Sequence, residues 1–388
     1  MLANLITSMP LYVCTFWSLL LLLDVAENRQ TAKARLLAYM VAAALLYAGH
    51  FVFFNRITSL LPVSDTVYCT VNLAVFPLYY IYLKELTEPR WNHRWQWLLL
   101  VPAAVAGVAV GLLYTLQTTE ETGLFITEYL YNNRFDRLCG YSWWLAAVHQ
   151  IAKIVFALQI PPILILGFIK IRHYHQALEA NYADTDDKRL RGAKTVLVLF
   201  VVTSFVSFAA NLTGRIRFTD SQWLLIVPSL LFSVLQFMLG YTGYRQRFSI
   251  RDLLREFSIN TPGDEKQAET DTADGEQRSR LECLPQQIAD IVSRDKLYLQ
   301  LDLKITDVAD RLRTNRTYVS RVLKEQMGTT FADYINSQRI EYACQLMNQQ
   351  PQLSATDVAI QSGFSSLSSF YRNFKLYKGC TPKKIIRM

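Results

Sequence analysis

Seven long apolar runs occupy the part of the chain that precedes Tyr244. A helix needs about 20 mostly apolar residues to span roughly 30 Å of hydrocarbon, and helices satisfy their own backbone hydrogen bonds in lipid. The runs cover residues 5–23, 36–54, 67–83, 97–116, 143–169, 195–212 and 223–241. The sequence therefore predicts a transmembrane domain of seven helices over residues 1–243.

The Lys and Arg residues between these runs predict the orientation of the helices, because cytoplasmic connections retain positive charge. The first, third and fifth connections are richer in cations than the second, fourth and sixth. The cations of the odd connections are Arg29, Lys33, Arg35, Lys84, Arg90, Arg94, Lys170, Arg172, Lys188, Arg189, Arg191 and Lys194. Those of the even connections are Arg56, Arg134, Arg137, Arg215 and Arg217. We expect the N-terminus outside and everything after Tyr244 in the cytoplasm. A signal peptide is the alternative for the first run, which lacks a basic start and a cleavage site.

A few ionisable residues fall at membrane depth, where charge is costly and marks a candidate functional site. They are His50, Asp65, His149 and Lys153. His149 and Lys153 are four residues apart and therefore share one helix face, which predicts a polar site between spans. The alternative is that these side chains lie at span edges, where they cap a helix or reach the interface.

Catalytic and metal-binding motifs do not stand out in the sequence. It contains no HExxH, no GxSxG in a strand-to-helix setting and no phosphate-cradling glycine loop. Its six cysteines show no CxxC spacing. We therefore expect no catalytic residue, no metal, no cofactor and no enzyme activity. A transporter or lipid-modifying enzyme with a regulatory tail is the alternative, and it would require paired membrane carboxylates or an ion path.

Residues 244–283 combine a basic amphipathic stretch with an acidic polar one. Arginines between Arg245 and Arg255 alternate with apolar residues, which predicts a juxtamembrane helix whose cations face anionic headgroups. The following stretch, NTPGDEKQAETDTADGEQRSR, has too few apolar residues to bury a core and predicts a disordered tether. A protease-sensitive release segment is the alternative.

Apolar residues recur with helical period from Leu284 onward. One predicted buried stripe consists of Ile305, Val308, Ala309 and Leu312, and the next of Val319, Val322 and Leu323. The spacing predicts two short helices and a tight turn, with Thr314 or Asn315 capping the second helix. The opposite face of that helix carries Thr317, Ser320, Arg321 and Lys324. These residue types contact base edges and phosphates in a DNA groove.

A second unit repeats this pattern near the C-terminus. Ser354 is a predicted N-cap, Gly363 fits the left-handed residue that ends the supporting helix, and Phe364 fills the core. Phe370 and Phe374 are predicted to face inward on the following helix. The outer face of that helix carries Ser368, Tyr371, Arg372 and Lys375. Two such reading helices can occupy successive major-groove segments about one turn apart.

The last hundred or so residues, 284–388, resemble the DNA-binding domain of the AraC/XylS family of bacterial transcription regulators. The matching motifs, in the family's order and spacing, are ITDVADRL, TYVSRVLKEQMG, FADYINSQRIEYACQLM, DVAIQSGFSSLSSFYRNFK and GCTP. The resemblance implies base contacts at Thr317, Ser320 and Arg321 in the first reading helix and at Leu367, Ser368 and Arg372 in the second. Leu367 stands where polar residues often read bases, and the ending KKIIRM lacks the family's usual Tyr-Arg. The first 243 residues do not match the family's soluble sugar-binding barrel, so no sugar ligand is implied.

Taken as a whole, the sequence predicts an all-α protein with a seven-transmembrane-helix domain (1–243), a linker (244–283) and a tandem helix-turn-helix domain (284–388). We expect a one-component regulator in the bacterial inner membrane that binds double-stranded promoter DNA, with the lipid bilayer as its other partner. The family resemblance adds RNA polymerase. The membrane domain is interpreted as a sensor of a ligand that the sequence does not identify, and a passive anchor is the alternative.

Coupling between the two domains has several predicted routes. A signal could pair two chains into a homodimer, free the C-terminal domain from the headgroup-bound helix, or lead to cleavage of the acidic tether.

Overall fold

The computed structural model describes residues 2–88, 95–190, 192–213, 222–246, 248–260 and 275–382. Helices form the architecture throughout these residues, which confirms the all-α expectation. Several predicted features lie outside the described residues. They are the cations Arg90, Arg94, Arg191, Arg215, Arg217 and Arg247, the middle of the acidic tether at 261–274, and the ending KKIIRM.

Long helices dominate the first two thirds of the chain and shorter ones the last third. The first group is α1 (Met9–Asn28), α2 (Thr31–Phe54), α3 (Leu61–Thr87), α4 (Val101–Leu116), α5 (Gly140–Asn181), α6 (Ala193–Thr213) and α7 (Ile226–Arg245). The second group is α8 (Ile250–Asn260), α9 (Gly275–Arg294), α10 (Ile305–Arg311), α11 (Arg316–Glu325), α12 (Phe331–Gln349), α13 (Ala355–Gln361) and α14 (Leu367–Lys378). Short helical turns lie at Leu2–Thr7, Thr58–Leu60, Trp95–Leu100, Thr119–Leu124, Phe125–Tyr131, Gln222–Leu225 and Leu297–Leu299.

The chain divides into two compact units. The N-terminal unit comprises Met1–Arg172 and Leu190–Ser249, and the C-terminal unit comprises His173–Arg189 and Ile250–Met388. The predicted domain division near Tyr244 does not separate these units completely. Residues 173–189, which the sequence places in a connection between spans, belong to the C-terminal unit.

Six helical segments of the N-terminal part are long and apolar enough to cross a membrane, by length and composition within the described residues. They are Met9–Asn28, Thr31–Phe54, Thr58–Thr87, Gln96–Leu116, Gly140–Asn181 and Trp223–Glu256. The predicted sixth span corresponds to α6, whose described apolar part, Thr195–Ser207, is shorter. The count of seven therefore stays a prediction.

Small residues let the helices of the N-terminal unit approach closely. A Cβ on Gly107 of α4 would lie 2.0 Å from the Thr70 hydroxyl of α3. A Cβ on Gly240 of α7 would lie 2.3 Å from the ring of Trp17 on α1. Larger side chains at these glycines would push the paired helices apart.

The C-terminal unit has a core built around α12. The buried guanidinium of Arg339 donates to the carbonyl oxygens of Tyr298 and Gln300, each at 2.6 Å, and so ties the loop before α10 to α12. Burial lowers the pKa of Arg339 to about 10, against the opposing effect of nearby carboxylates. Such a side chain is a structural anchor, because its charge is compensated by backbone acceptors in the interior.

Helices also occupy parts of the region that the sequence assigns to linker. α8 lies where the amphipathic juxtamembrane helix was predicted. α9 begins at Gly275 and therefore includes residues that were predicted to be tether. Its later turns bury Leu284, Ile288 and Val292, which gives this helix an apolar stripe that the polar composition upstream does not reveal.

Candidate nucleic-acid interface

The first helix-turn-helix unit consists of α10 and α11. Val308 and Ala309 of α10 and Val319 and Val322 of α11 are at most 2% exposed, which matches the predicted stripes. The Asn315 side chain accepts a hydrogen bond from the Tyr318 amide at 3.0 Å and caps α11. The buried stripe and the cap together fix which face of α11 is outward.

The second unit consists of α13 and α14 and begins with the predicted cap. The Ser354 hydroxyl accepts from the Asp357 amide at 3.2 Å. Gly363 has φ +84°, and a Cβ there would lie 2.6 Å from the Tyr298 carbonyl oxygen, so both conformation and space require glycine. Phe364, Phe370 and Phe374 are fully buried in one apolar cluster beneath α14.

The turns of the two units have the same hydrogen-bonding scheme. The Thr314 amide donates to the Ala309 carbonyl and the Phe364 amide to the Ala359 carbonyl, both at 3.0 Å. The left-handed residue just before each donor is Arg313 (φ +51°) in the first unit and Gly363 in the second. The units are therefore structural repeats in their turns, although their sequences differ there.

The predicted reading residues of α11 lie on its outer face. Thr317, Arg321 and Lys324 are exposed and Ser320 is half-buried. The guanidinium of Arg321 lies over the Tyr318 ring, 4.9 Å from its centroid. This stacking holds the long side chain against the helix and leaves its donor edge available for a ligand.

The predicted reading residues of α14 also lie together on one face. Leu367, Ser368, Arg372 and Lys375 are exposed, and Tyr371 is half-buried against Phe370. The Ser366 hydroxyl caps the helix by accepting from the Ser369 amide at 3.1 Å. The structure thus groups each predicted set on its own helix.

Known proteins resemble this C-terminal part of the chain. A family model described as a helix-turn-helix domain matches residues 308–388. An HTH-type transcriptional regulator of Staphylococcus aureus (strain MSSA476) is 33% identical over 89 residues, which are 23% of this chain and 12% of that protein. The melibiose operon regulatory protein of Escherichia coli (strain K12) is 33% identical over 82 residues, 21% of this chain and 27% of that protein.

Residues 308–388 match this AraC-type helix-turn-helix model and are called the AraC-type domain below. The chain matches only about an eighth of the length of the staphylococcal relatives, so the likeness concerns this domain alone. No solved structure matches the chain significantly.

A carboxylate from outside the AraC-type domain binds one of the predicted reading residues. Arg372 donates to the carboxylate of Asp186, which lies in the connection between α5 and α6. The side chain of Asp186 is 3% exposed, whereas that of Arg372 is 45% exposed. Asp184 of the same connection accepts a hydrogen bond from Ser365.

Sequence reasoning missed these contacts because it used the connection only for its positive charge. The run ADTDD at 183–187 was an available signal, since clustered carboxylates next to a basic surface favour an ion pair. Nothing in the local sequence pointed to Arg372 as the partner, because the two residues are 186 positions apart.

Within the N-terminal unit, His149 and Lys153 both contact Tyr129, whose ring centroid lies 5.9 Å from that of His149. His149 lies 2.9 Å from the Asp65 carboxylate through Nε2, and the Tyr114 hydroxyl donates to the same carboxylate at 2.9 Å. Lys153 donates to the Tyr129 hydroxyl at 3.2 Å and lies over that ring. Asp65, His149 and Tyr114 thus form a buried polar cluster that links α3, α4 and α5.

A metal is not indicated by the described residues, which contain no group of three or more His, Cys, Asp or Glu side chains placed to hold one.

Proposed function

We propose that this chain is a transcription regulator that binds promoter DNA through both helix-turn-helix units of its AraC-type domain. The observation that carries the proposal is the repeated presentation of an Arg and a Lys on the outer face of a capped helix, Arg321 with Lys324 and Arg372 with Lys375. Arg pairs bidentately with guanine, and Lys suits phosphate. The relatives named as transcriptional regulators support the same function.

Each predicted residue has a role in this proposal. Arg321 and Arg372 read base edges. Thr317, Ser320 and Ser368 hydrogen-bond to bases or phosphates, Leu367 contacts an apolar base edge such as a thymine methyl, and Tyr371 contacts the backbone. RNA polymerase follows as a partner from the family resemblance.

The N-terminal unit anchors the regulator in the bacterial inner membrane, with the AraC-type domain in the cytoplasm. The membrane-length helices support this, as does the outward exposure of large apolar side chains on them. Exposed examples are Leu23, Val63, Val108, Leu158 and Val227. The excess of Lys and Arg in the odd connections supports the orientation.

The same unit acts as the sensor in this proposal. The support is the buried cluster of Asp65, His149 and Tyr114, since ionisable groups at membrane depth are costly and mark functional sites. A substitution that keeps the shape of Asp65, Asp65→Asn, is expected to change the output of the regulated promoter at an unchanged amount of membrane-bound protein. A passive anchor would leave that output unaltered.

Selection from a random duplex library tests the DNA-binding proposal. Full-length protein in lipid nanodiscs is expected to enrich duplexes with two short determined segments about 10–10.5 base pairs apart, centre to centre. The matched control is Arg321→Ala with Arg372→Ala, which keeps the fold and removes both base-reading guanidinium groups. Failure of the unsubstituted protein to enrich any sequence would contradict the proposal.

Reporter fusions test the membrane orientation. A fluorescent protein fused after residue 388 is expected to fluoresce, and alkaline phosphatase at the same point to be inactive. Alkaline phosphatase inserted after Arg56, in the second connection, is expected to be active. The reverse pattern would contradict the orientation.

A further inference from the structure

The connection between α5 and α6 carries an acidic segment, residues 182–189, that is packed into the C-terminal unit. The Ala183 amide donates to the Leu303 carbonyl at 3.1 Å, and the Asn336 side chain donates to the Ala183 carbonyl at 2.9 Å. Tyr182 pairs with Lys304 through an isolated antiparallel bridge. Backbone pairing of this kind fixes the segment in register against the domain.

Half of the residues of the acidic segment are buried. Tyr182, Ala183, Thr185 and Asp186 are each at most 3% exposed. A second attachment comes from Glu256 of α8, which accepts hydrogen bonds from both Tyr182 and Lys304. The segment is therefore held from both sides and is not a loose surface loop.

The carboxylates of the segment face the N-terminal end of α14. Asp186 accepts from Arg372 and lies 3.4 Å from the Ser366 hydroxyl, and Asp184 accepts from Ser365. A carboxylate offers a guanidinium the same fork of two acceptors that guanine O6 and N7 offer. The two ligands compete for Arg372, because the Nη1 group that donates to Asp186 is then not free to donate to a base.

In the described part of the chain, no carboxylate competes in this way for the equivalent side chain of the first unit. Among the residues that the structure describes, Arg321 forms no salt bridge and contacts the Tyr318 ring. The acidic segment thus binds Arg372 of one reading helix, whereas no described carboxylate pairs with Arg321 of the other.

We propose that the acidic segment 182–189 is an intramolecular competitor of DNA that occupies the reading face of α14. In the docked state only α11 is open to a groove, and binding of a complete two-segment site requires the acidic segment to leave. The inference rests on the proposed DNA-binding function. The segment directly joins α5 and α6, so a change in these apolar helices has a covalent route to the reading face.

The amount by which the segment weakens DNA binding depends on the fraction of molecules in which it is docked on α14. The apparent dissociation constant equals the intrinsic one divided by the released fraction, so a segment docked about 90% of the time weakens binding about tenfold. Removing the Asp186 carboxylate is unfavourable for the docked state, because the segment then loses its charge-assisted hydrogen bond from Arg372.

Binding of full-length protein in nanodiscs to its selected duplex tests the proposal. The release variant, Asp184→Asn with Asp186→Asn, keeps the side-chain shapes and is expected to bind about tenfold more tightly. The matched control is Asp187→Asn, which removes a carboxylate from an exposed position of the same segment. It is expected to change affinity less than about twofold, because an exposed side chain contributes little to holding the segment in its docked position.

Hydrogen exchange on the unsubstituted protein supplies a readout that needs no variant. Addition of saturating duplex is expected to speed exchange in peptides covering 182–189, since the Ala183 amide loses its bond to Leu303 when the segment leaves. Peptides of the buried α12 core serve as the control and are expected to stay protected.

The outcomes separate the two proposals. Duplex binding with equal affinity in the release variant and the unsubstituted protein, with unchanged exchange over 182–189, would overturn the inference and leave the DNA-binding function intact. Absence of duplex binding in every form, including the release variant, would overturn both.

Discussion

The two helix-turn-helix units of the AraC-type domain have the same turn geometry and different surroundings. Arg321 on α11 stacks on Tyr318 of its own helix, whereas Arg372 on α14 binds the buried carboxylate of Asp186 from a distant part of the chain. Duplication of a motif therefore repeats the backbone without repeating the electrostatic environment. The availability of each reading helix depends on what else the chain places against it.

The two units also differ in the burial of the side chain that follows the left-handed residue of the turn. In the second unit Phe364 follows the left-handed glycine and is fully buried in the cluster beneath α14. In the first unit Thr314 occupies the same place in the hydrogen-bonding scheme and is half-buried. The second unit thus depends more on its own aromatic core, and the first depends more on the apolar stripes of α10 and α11.

The largest expected effect tests whether the two turns differ in how much buried side chains stabilise them. Phe364→Ala is expected to lower the free energy of unfolding of the second unit by about 3–5 kcal/mol, because it removes a fully buried ring and leaves a cavity. Thr314→Ala, the matched change in the first unit, is expected to cost less than about 1 kcal/mol. In full-length protein, hydrogen exchange over α13 and α14 measures the loss caused by Phe364→Ala. Hydrogen exchange over α10 and α11 measures the loss caused by Thr314→Ala. Equal losses would show that the two turns are supported alike.

A second prediction compares the two arginines. Arg321→Ala is expected to weaken binding to the selected duplex by about 1–3 kcal/mol and to relax discrimination in one groove segment. Arg372→Ala removes a base contact and also the partner of Asp186, so its net loss is expected to be smaller by up to about 1.4 kcal/mol, the equivalent of tenfold release.

The release variant provides a second background in which to measure the effects of the two arginine substitutions. With Asp184→Asn and Asp186→Asn already present, Arg372→Ala is expected to show the full cost of about 1–3 kcal/mol, while the cost of Arg321→Ala stays the same. Titrations of each protein with labelled duplex measure these losses. An unchanged cost of Arg372→Ala in the two backgrounds would contradict competition between Asp186 and DNA.

The smallest expected effect concerns the lysines. Lys324→Ala and Lys375→Ala are each expected to weaken binding to all duplexes alike and to reduce the slope of log affinity against log salt by about one. The reason is that a phosphate contact releases counterions without reading a base. Binding titrations between low and moderate salt measure the slopes, and a loss confined to one sequence would assign base reading to the lysine concerned.

Much of the C-terminal domain could be predicted from its sequence, because local patterns determine it. The helical spacing of Val308, Val319 and Val322 predicted which helix faces are buried. Ser354 predicted the start of a helix, and Gly363 predicted the residue of positive φ that ends one. The positive φ of Arg313 was not predictable, since arginine rarely adopts it and only the repeated turn geometry requires it here.

The partners in long-range contacts could not be predicted, because a single sequence does not show which distant residues meet. Asp186 and Arg372 are far apart in the chain, and the sequence analysis placed residues 173–189 in a membrane connection. His149 and Lys153 were expected to act together because they share a helix face. In the structure His149 pairs with Asp65, Lys153 donates to Tyr129, and the Tyr129 ring contacts His149, so both residues share a neighbour that only helix packing reveals.

The central claim is that the acidic segment 182–189 controls the second reading helix and not the first. It is tested most directly by measuring the affinities of the unsubstituted protein and the release variant for two duplexes, the complete selected site and a site with the segment read by Arg372 scrambled. We predict that the release variant binds the complete site about tenfold more tightly and that the two proteins bind the scrambled site equally. An equal gain on both duplexes, or no gain on the complete site, would contradict the account.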